Sequence, residues 1–282
     1  MFVLDTHCDT PSQILRLRDL AADNHHAHVD FPKLRRGGVD GVFFALYVPA
    51  SMDTEEAMAY AEKMLVGVKK SVSENADIVA FACSHQEAVA NKENSRTSIF
   101  LGLENGSPIG HSLERLHYFH DNGVRYVTLC HSADNQICDS CASVVKKWGG
   151  LSPFGRELVS EMNRIGMLVD VSHASDDTFY DVLECSSSPV VATHSCCRAL
   201  CDHPRNMTDE MICALAQAGG VIQINFYPLF LDGGFRNILH QSGISERGER
   251  IESEFIADPG NPDKRAAWNA VQDELNALKR PS

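Results

Sequence analysis

Four apolar runs in this chain each end on a side chain that can ligate a metal. They are Phe2-Val3-Leu4-Asp5-Thr6-His7-Cys8-Asp9, Ile99-Phe100-Leu101-Gly102-Leu103-Glu104, Met167-Leu168-Val169-Asp170-Val171-Ser172-His173 and Pro189-Val190-Val191-Ala192-Thr193-His194. Each reads as a buried parallel strand with a His, Asp or Glu at its carboxyl end. In a β/α barrel the carboxyl ends of the strands converge on one face, where active sites sit. His7, Asp9, Glu104, His173 and His194 delivered to that face suit a pair of divalent metals.

Strands and helices alternate along the rest of the chain. Gly41–Tyr47 reads as a second strand, preceded by the Gly37-Gly38 turn. From Thr54 to Val72 the residues Ala57, Ala61, Met64, Leu65 and Val68 fall on one helical stripe. Leu113, Leu116 and Phe119 suggest a helix that stops near Asn122-Gly123, and Arg125 to Cys130 is the next strand. Ser152-Pro153 pairs a good N-cap with a residue suited to the first helical turn, and Gly166 ends that helix. Met207 to Ala218 reads as a further helix, Val221 to Asn225 as a strand, and Lys264 to Leu278 as a last helix, with polar, Gly- and Pro-bearing residues between the last two. The expectation is one α/β domain over 1–282, a (β/α)8 TIM-type barrel with seven strand candidates, lacking its eighth strand. Such a gap leaves unpaired strand edges, so a further segment, a partner chain or the residues after Phe230 should cover it.

A formal charge of −13 argues against a nucleic-acid partner, because binders of phosphate backbones present basic faces. No apolar run approaches the roughly 20 residues that span a bilayer, so no transmembrane segment is expected. The first residues lack the basic and apolar regions of a signal peptide. Among ten cysteines, Cys138 and Cys141 form a lone C-x-x-C without a second pair at zinc-finger spacing. Cys196, Cys197 and Cys201 crowd one segment, which leaves a disulfide open. The simplest compartment is reducing, hence cytoplasmic, with a removed signal peptide still open.

His7 and Asp9 stand two apart on an extended chain and so face the same way. Glu104 closing an apolar strand is the more telling residue, since a carboxylate there is costly unless paired or metal-bound. Imidazole with carboxylate suits Zn, Mn or Fe, with Zn2+ the default. His25-His26-Ala27-His28 reads as a solvated loop. Asp170 and Asp176 are candidates to orient metal histidines, and the sequence does not choose between them.

The chain resembles the membrane (renal) dipeptidase family, peptidase family M19 of the amidohydrolase superfamily. The matching stretches are Asp5-Thr6-His7-Cys8-Asp9-Thr10-Pro11, Leu34-Arg35-Arg36-Gly37-Gly38-Val39, Gly102-Leu103-Glu104-Asn105-Gly106, Leu151-Ser152-Pro153-Phe154-Gly155-Arg156-Glu157-Leu158, Leu168-Val169-Asp170-Val171-Ser172-His173 and Thr193-His194-Ser195. The resemblance implies a zinc-dependent dipeptidase with two Zn2+ per chain. His7 and Asp9 would hold one ion, His173 and His194 the other, and Glu104 would bridge both as a catalytic residue. His131 would polarise the substrate carbonyl, Arg205 would grip the dipeptide carboxylate, and Tyr227 would line the substrate pocket. Two such metals would lower the pKa of a bridging water and hold the hydroxide against the scissile bond. The implied partner is a dipeptide substrate, and a homodimer stays open.

The chain departs from the family at one point. The family carries an aspartate at the end of strand eight that shuttles the proton between water and leaving amine. No segment of that type occurs here, and Asp258, Asp263 and Asp273 lie in loop or helix contexts. General acid–base help is worth about 10²–10⁴-fold. The expectation for 1–282 is therefore metal binding with turnover at least about 10²-fold below that of a chain carrying the next strand. A different binuclear hydrolase acting on phosphoesters, or a catalytically silent metal-binding protein, are the alternatives.

Overall fold

The structure, a computed structural model, describes residues 1–278. Its strands are β1 (Leu4–Cys8), β2 (Gly41–Tyr47), β3 (Val79–Phe81), β4 (Thr97–Glu104), β5 (Val124–Thr128), β6 (Leu168–Asp170), β7 (Val191–Ser195) and β8 (Val221–Ile224). All are parallel and belong to one sheet, with the wall in the order β1-β2-β4-β5-β6-β7-β8. The seven strands of that wall are those expected from the apolar runs. β3 was not expected. Its three residues pair only with the start of β4, Val79 opposite Thr97, ahead of the point where β5 takes over at Leu101. A run that short carries no readable period.

The barrel closes except for one seam. Among the described residues β1 and β8 do not pair with each other, and Thr6 Oγ1 of β1 instead donates to the Thr193 carbonyl of β7 at 2.9 Å. Leu4, Val221 and Ile224 flank the seam and are 38%, 51% and 52% exposed, unlike β4 within the wall, which is buried throughout.

The helices are α1 (Pro11–Leu15), α2 (Phe31–Arg36), α3 (Thr54–Glu74), α4 (His85–Glu93), α5 (Leu113–Asp121), α6 (Pro153–Ile165), α7 (Asp176–Cys185), α8 (Asp209–Gln217), α9 (Gly233–Ser242), α10 (Ile244–Ala257) and α11 (Pro262–Ala277). Local chemistry explains their ends. Asp53 and Glu56 make a capping box at the start of α3, and Ser152 Oγ accepts from the Gly155 N–H at 2.9 Å ahead of Pro153 in α6. Gly166 ends α6 in the left-handed conformation at φ 77°. The stretch read as polar and loop-like between β8 and α11 holds α9 and α10. Ile244, Phe255, Trp268 and Val271 form a small core of their own there. The helical spacing Ile244, Ile251, Phe255 carried that signal.

Two faces of the wall have different jobs. Val42, Phe44, Ile99, Leu101 and Leu103 pack outward with Ala57, Ala61, Met64 and Leu65 of α3. Phe43, Phe100 and Tyr126 form a separate aromatic floor, with Phe43 at 4.8 Å from Phe100 and 5.2 Å from Tyr126 between ring centres. Gly102 makes room for it. A Cβ at Gly102 would sit 2.1 Å from Tyr126 Cζ. Because Tyr126 also contacts a histidine of the site, Gly102→Ala is expected to lower stability by about 3 kcal/mol, the upper part of the usual overpacking range, and to weaken metal binding. Denaturant unfolding of the metal-free protein and a metal titration check the two effects separately.

Candidate metal centre

The strand ends deliver their ligands through local irregularities. The β1 register slips between Asp5 and Cys8, around His7, and the β7 register slips between Ala192 and Ser195, around His194. Such bulges re-aim side chains beside active sites. His173 stands at φ 69° and Asn105, directly after Glu104, at φ 75°. Left-handed backbone at residues other than glycine is costly and collects at functional sites.

Glu104, buried at the end of β4, is the hub. Its Oε2 lies 3.3 Å from His7 Nε2, which is 3.3 Å from Asp9 Oδ1. Its Oε1 lies 3.2 Å from His173 Nε2 and 3.4 Å from His194 Nε2. Two groups able to hold an ion thus share one carboxylate: His7, Asp9 and Glu104, and Glu104, His173 and His194. The five expected ligands are brought together.

The donor set fits divalent cations. His7 Nε2 and Glu104 Oε2 are buried without a hydrogen-bond partner, and unpartnered buried polar atoms are rare and costly. Burial pushes His173 and His194 well below the ordinary imidazole range, with Arg205 and the neighbouring histidines adding to it. Their Nε2 atoms nevertheless face each other at 3.0 Å. Burial also works against a charge on His7, yet Glu104 and Asp9 outweigh it and raise His7 to about 10. Burial and Asp9 push Glu104 up to about 7. A protein-only site therefore gathers protons it would release to a metal.

His131 lies at the wall of the same cavity, with Nε2 3.8 Å from Glu104 Oε1 and the Tyr47 ring packed edge-on at 4.8 Å. Burial, with Arg205 nearby, brings its pKa down to about 4, so it is neutral at physiological pH. The cavity holds about 970 Å³ and its lining includes all five expected ligands, His131, Tyr227 and Phe230. Arg205 sits behind this wall, buried. Its Nη1 donates to Ser195 Oγ at 2.8 Å and its Nη2 to the His194 carbonyl at 2.6 Å, while Nε has no partner. Asp176 is engaged by Arg198 at 2.7 Å through both oxygens and holds no histidine of the site, whereas Asp170 lies inside the cluster. His26 and His28 line a neighbouring cavity of about 270 Å³ that shares Asp9, and among the described residues they join no metal-type group. All ten cysteines are free, so the Cys196, Cys197 and Cys201 segment carries no disulfide.

The sequence reading missed Tyr126 and Asp139. Tyr126 OH lies 2.8 Å from His7 Nδ1; the alternation Tyr126-Val127-Thr128 places it on the face of β5 that points into the barrel. Asp139 organises the long loop after β5. Its Oδ1 accepts from Lys147 and Trp148 N–H, each at 2.9 Å, and its Oδ2 from Gly149 at 2.7 Å and Gly150 at 3.0 Å. Its carbonyl accepts from Ser175 N–H at 3.0 Å, tying the loop to the segment after His173. Burial alone would raise this carboxyl, but the four amides hold it below its ordinary value of 3.8. A depressed folded pKa means a contribution complete above pH 3.8 and lost as pH falls through the lower folded value. Asp139→Asn is therefore expected to lower stability at neutral pH by about 2 kcal/mol, since its NH2 must face two amide donors. The gap to the parent should close as pH falls below 3.8, measured by urea unfolding.

Residues 1–279 match the family described as membrane dipeptidase (peptidase family M19). Dipeptidase aclJ of Aspergillus oryzae is 33% identical over 235 residues, 80% of this chain and 56% of that protein. The chain spans between 56% and 60% of the length of four curated relatives that it matches. Dipeptidase AC, a metallopeptidase of family M19, superposes with a TM-score of 0.76 at 27% identity, covering 82% of this chain and 74% of its own. A metallopeptidase from Rhodobacter sphaeroides, solved with a phosphinate mimic of the dipeptide L-Ala-D-Ala, superposes with a TM-score of 0.77 at 26% identity, covering 82% and 75%.

Proposed function

We propose, on the premise that the chain belongs to the membrane dipeptidase family (peptidase family M19), that it uses two zinc ions to hydrolyse dipeptides with a free C-terminal carboxylate. The observation that carries this reading is the single buried carboxylate of Glu104 set between His7 on one side and His173 and His194 on the other. His7 and Asp9 would hold one ion, His173 and His194 the other, and Glu104 both. Bound there, the ions supply a water nucleophile at neutral pH and polarise the scissile carbonyl.

The other tasks fall to side chains. His131 is neutral and can donate an N–H to the carbonyl oxygen as it gains charge, a contact that strengthens toward the transition state. Arg205 would pair with the substrate carboxylate, which selects short substrates with a free end. Tyr227 and Phe230 give the cavity an apolar side on which a substrate side chain can pack. The ligand of the Rhodobacter sphaeroides metallopeptidase makes L-Ala-D-Ala the first substrate to try.

The test is turnover by the zinc-loaded chain of a dipeptide panel, the matching C-terminal amides and a simple phosphodiester. Dipeptides should be cleaved slowly, at least about 10²-fold below a chain carrying the strand-eight aspartate, because the leaving amine lacks that general acid. Amides should be poor substrates, the phosphodiester should not be cleaved, and activity should be lost on chelation. Phosphodiester cleavage alone would favour another binuclear hydrolase. Two bound zinc ions with no turnover of any kind would favour a catalytically silent metal-binding protein.

A further inference from the structure

Asp170 is a charged residue at the heart of the centre with no part in the chemistry above. It ends β6 and is fully buried. Its Oδ1 accepts the backbone N–H of Ser172 and of Thr193, each at 3.0 Å. Its Oδ2 accepts the hydroxyl of Thr128 from β5 at 2.5 Å and that of Thr193 from β7 at 2.7 Å. A hydroxyl has one proton to give. Thr193 gives it to Asp170, so toward His194 Nδ1, 2.8 Å away, Thr193 Oγ1 can only accept. His194 must then carry its proton on Nδ1. Its Nε2, facing Glu104 and His173, is left with a lone pair.

We infer that Asp170 is a positioning residue that acts through the Thr193 hydroxyl to fix the tautomer of His194, so that Nε2 is presented as a metal ligand. The inference rests on the reading of the centre as a metal site. Its geometry is over-determined. Thr128 is the register partner of Asp170 in the sheet, and both backbone donors on Oδ1 are set by β6 and β7 themselves. The carboxylate therefore has one orientation and the relay one direction. Asp170, His7 and His194 also offer ligand atoms within 4.8 Å of one another, so direct ligation by Asp170 is the rival arrangement.

Asp170→Asn should turn the relay round. An amide cannot set its NH2 against two backbone N–H donors, so its oxygen must face Ser172 and Thr193 and its NH2 the two hydroxyls. Thr193 then donates to His194 Nδ1, and the imidazole proton moves to Nε2.

Two measurements test this. Nitrogen NMR of the metal-free protein reads the tautomer of His194, and zinc titration against a competing chelator reads affinity. Expected are an Nδ1-protonated His194 in the parent and an Nε2-protonated one in Asp170→Asn, with zinc held about 10–100-fold more weakly, the usual effect of losing a partner that orients a ligand. Thr193→Val, which keeps the volume and removes the relay atom, should weaken zinc at least about 10-fold, and Thr193→Ser should bind as the parent does. A parent-like tautomer in Asp170→Asn overturns the inference. So does a Thr193→Val that binds like the parent while Asp170→Asn does not, which would make Asp170 itself the ligand. A parent that binds no zinc overturns the metal reading instead, and the relay then stands or falls on the tautomer alone.

Discussion

Glu104→Ala is expected to strip metal from both halves of the centre and to reduce dipeptide turnover by at least about 10³-fold. The magnitude follows from the several kcal/mol that metals contribute to such reactions, at about 1.4 kcal/mol for each factor of ten. The breadth follows from geometry. Glu104 is the only residue common to the His7 and Asp9 group and the His173 and His194 group among the described residues whose ligand atoms lie within reach of both. His173→Ala removes a ligand from one group only, so it should empty one site and leave the other populated. Elemental analysis of the two variants separates these outcomes. Two tightly held metals in Glu104→Ala would remove Glu104 from its shared role.

Arg205→Ala should lower kcat/KM for free dipeptides about 10²-fold, from the roughly 1.5–3 kcal/mol that a hydrogen bond to a charged group is worth. The residue is buried behind the cavity wall and outside its lining, with both Nη atoms engaged, so its partnerless Nε–H is the donor that would have to reach the carboxylate. A carboxylate is the ligand that such a donor suits. C-terminal amides should be poor substrates for the parent and lose little more in the variant. Arg205 also holds the His194 carbonyl and Ser195 Oγ, which gives the competing outcome its meaning. Equal losses on free and amidated dipeptides would make Arg205 a brace for His194 and leave the carboxylate to another group.

Much of the candidate site was legible before any coordinates. His7, Glu104, His173 and His194 each close an apolar run, and where a strand ends is a local property of the chain. The alternation of strands and helices then sends all those ends to one face. The caps at Asp53, Ser152 and Gly166 were readable for the same reason, since a cap involves residues only a few positions apart. The short strand β3 and the helices α9 and α10 were not read. β3 exists because β4 offers it an edge. The helices hold together through a small core shared by residues from Ile244 to Val271.

The chain by itself determined the seven-stranded wall, the candidate ligand types and most of the strand ends near them, because periodicity and residue chemistry act over a few neighbours. The strand expected to run to His173 is corrected: β6 stops at Asp170, and His173 stands in the left-handed turn beyond it. Only the tertiary structure decided how those ends work together. His7 meets Tyr126 across 119 positions, Asp170 meets Thr128 across 42, and Thr6 reaches the Thr193 carbonyl across 187. Such contacts depend on strand register and on how far the barrel closes, which no local pattern encodes. That is why Asp170 and Asp176 looked alike in the sequence, yet one is locked inside the centre and the other is held by Arg198 outside it. It is also why the hydrogen-bond partners of Arg205, His194 and the unsealed edge between β1 and β8 emerged only from the fold.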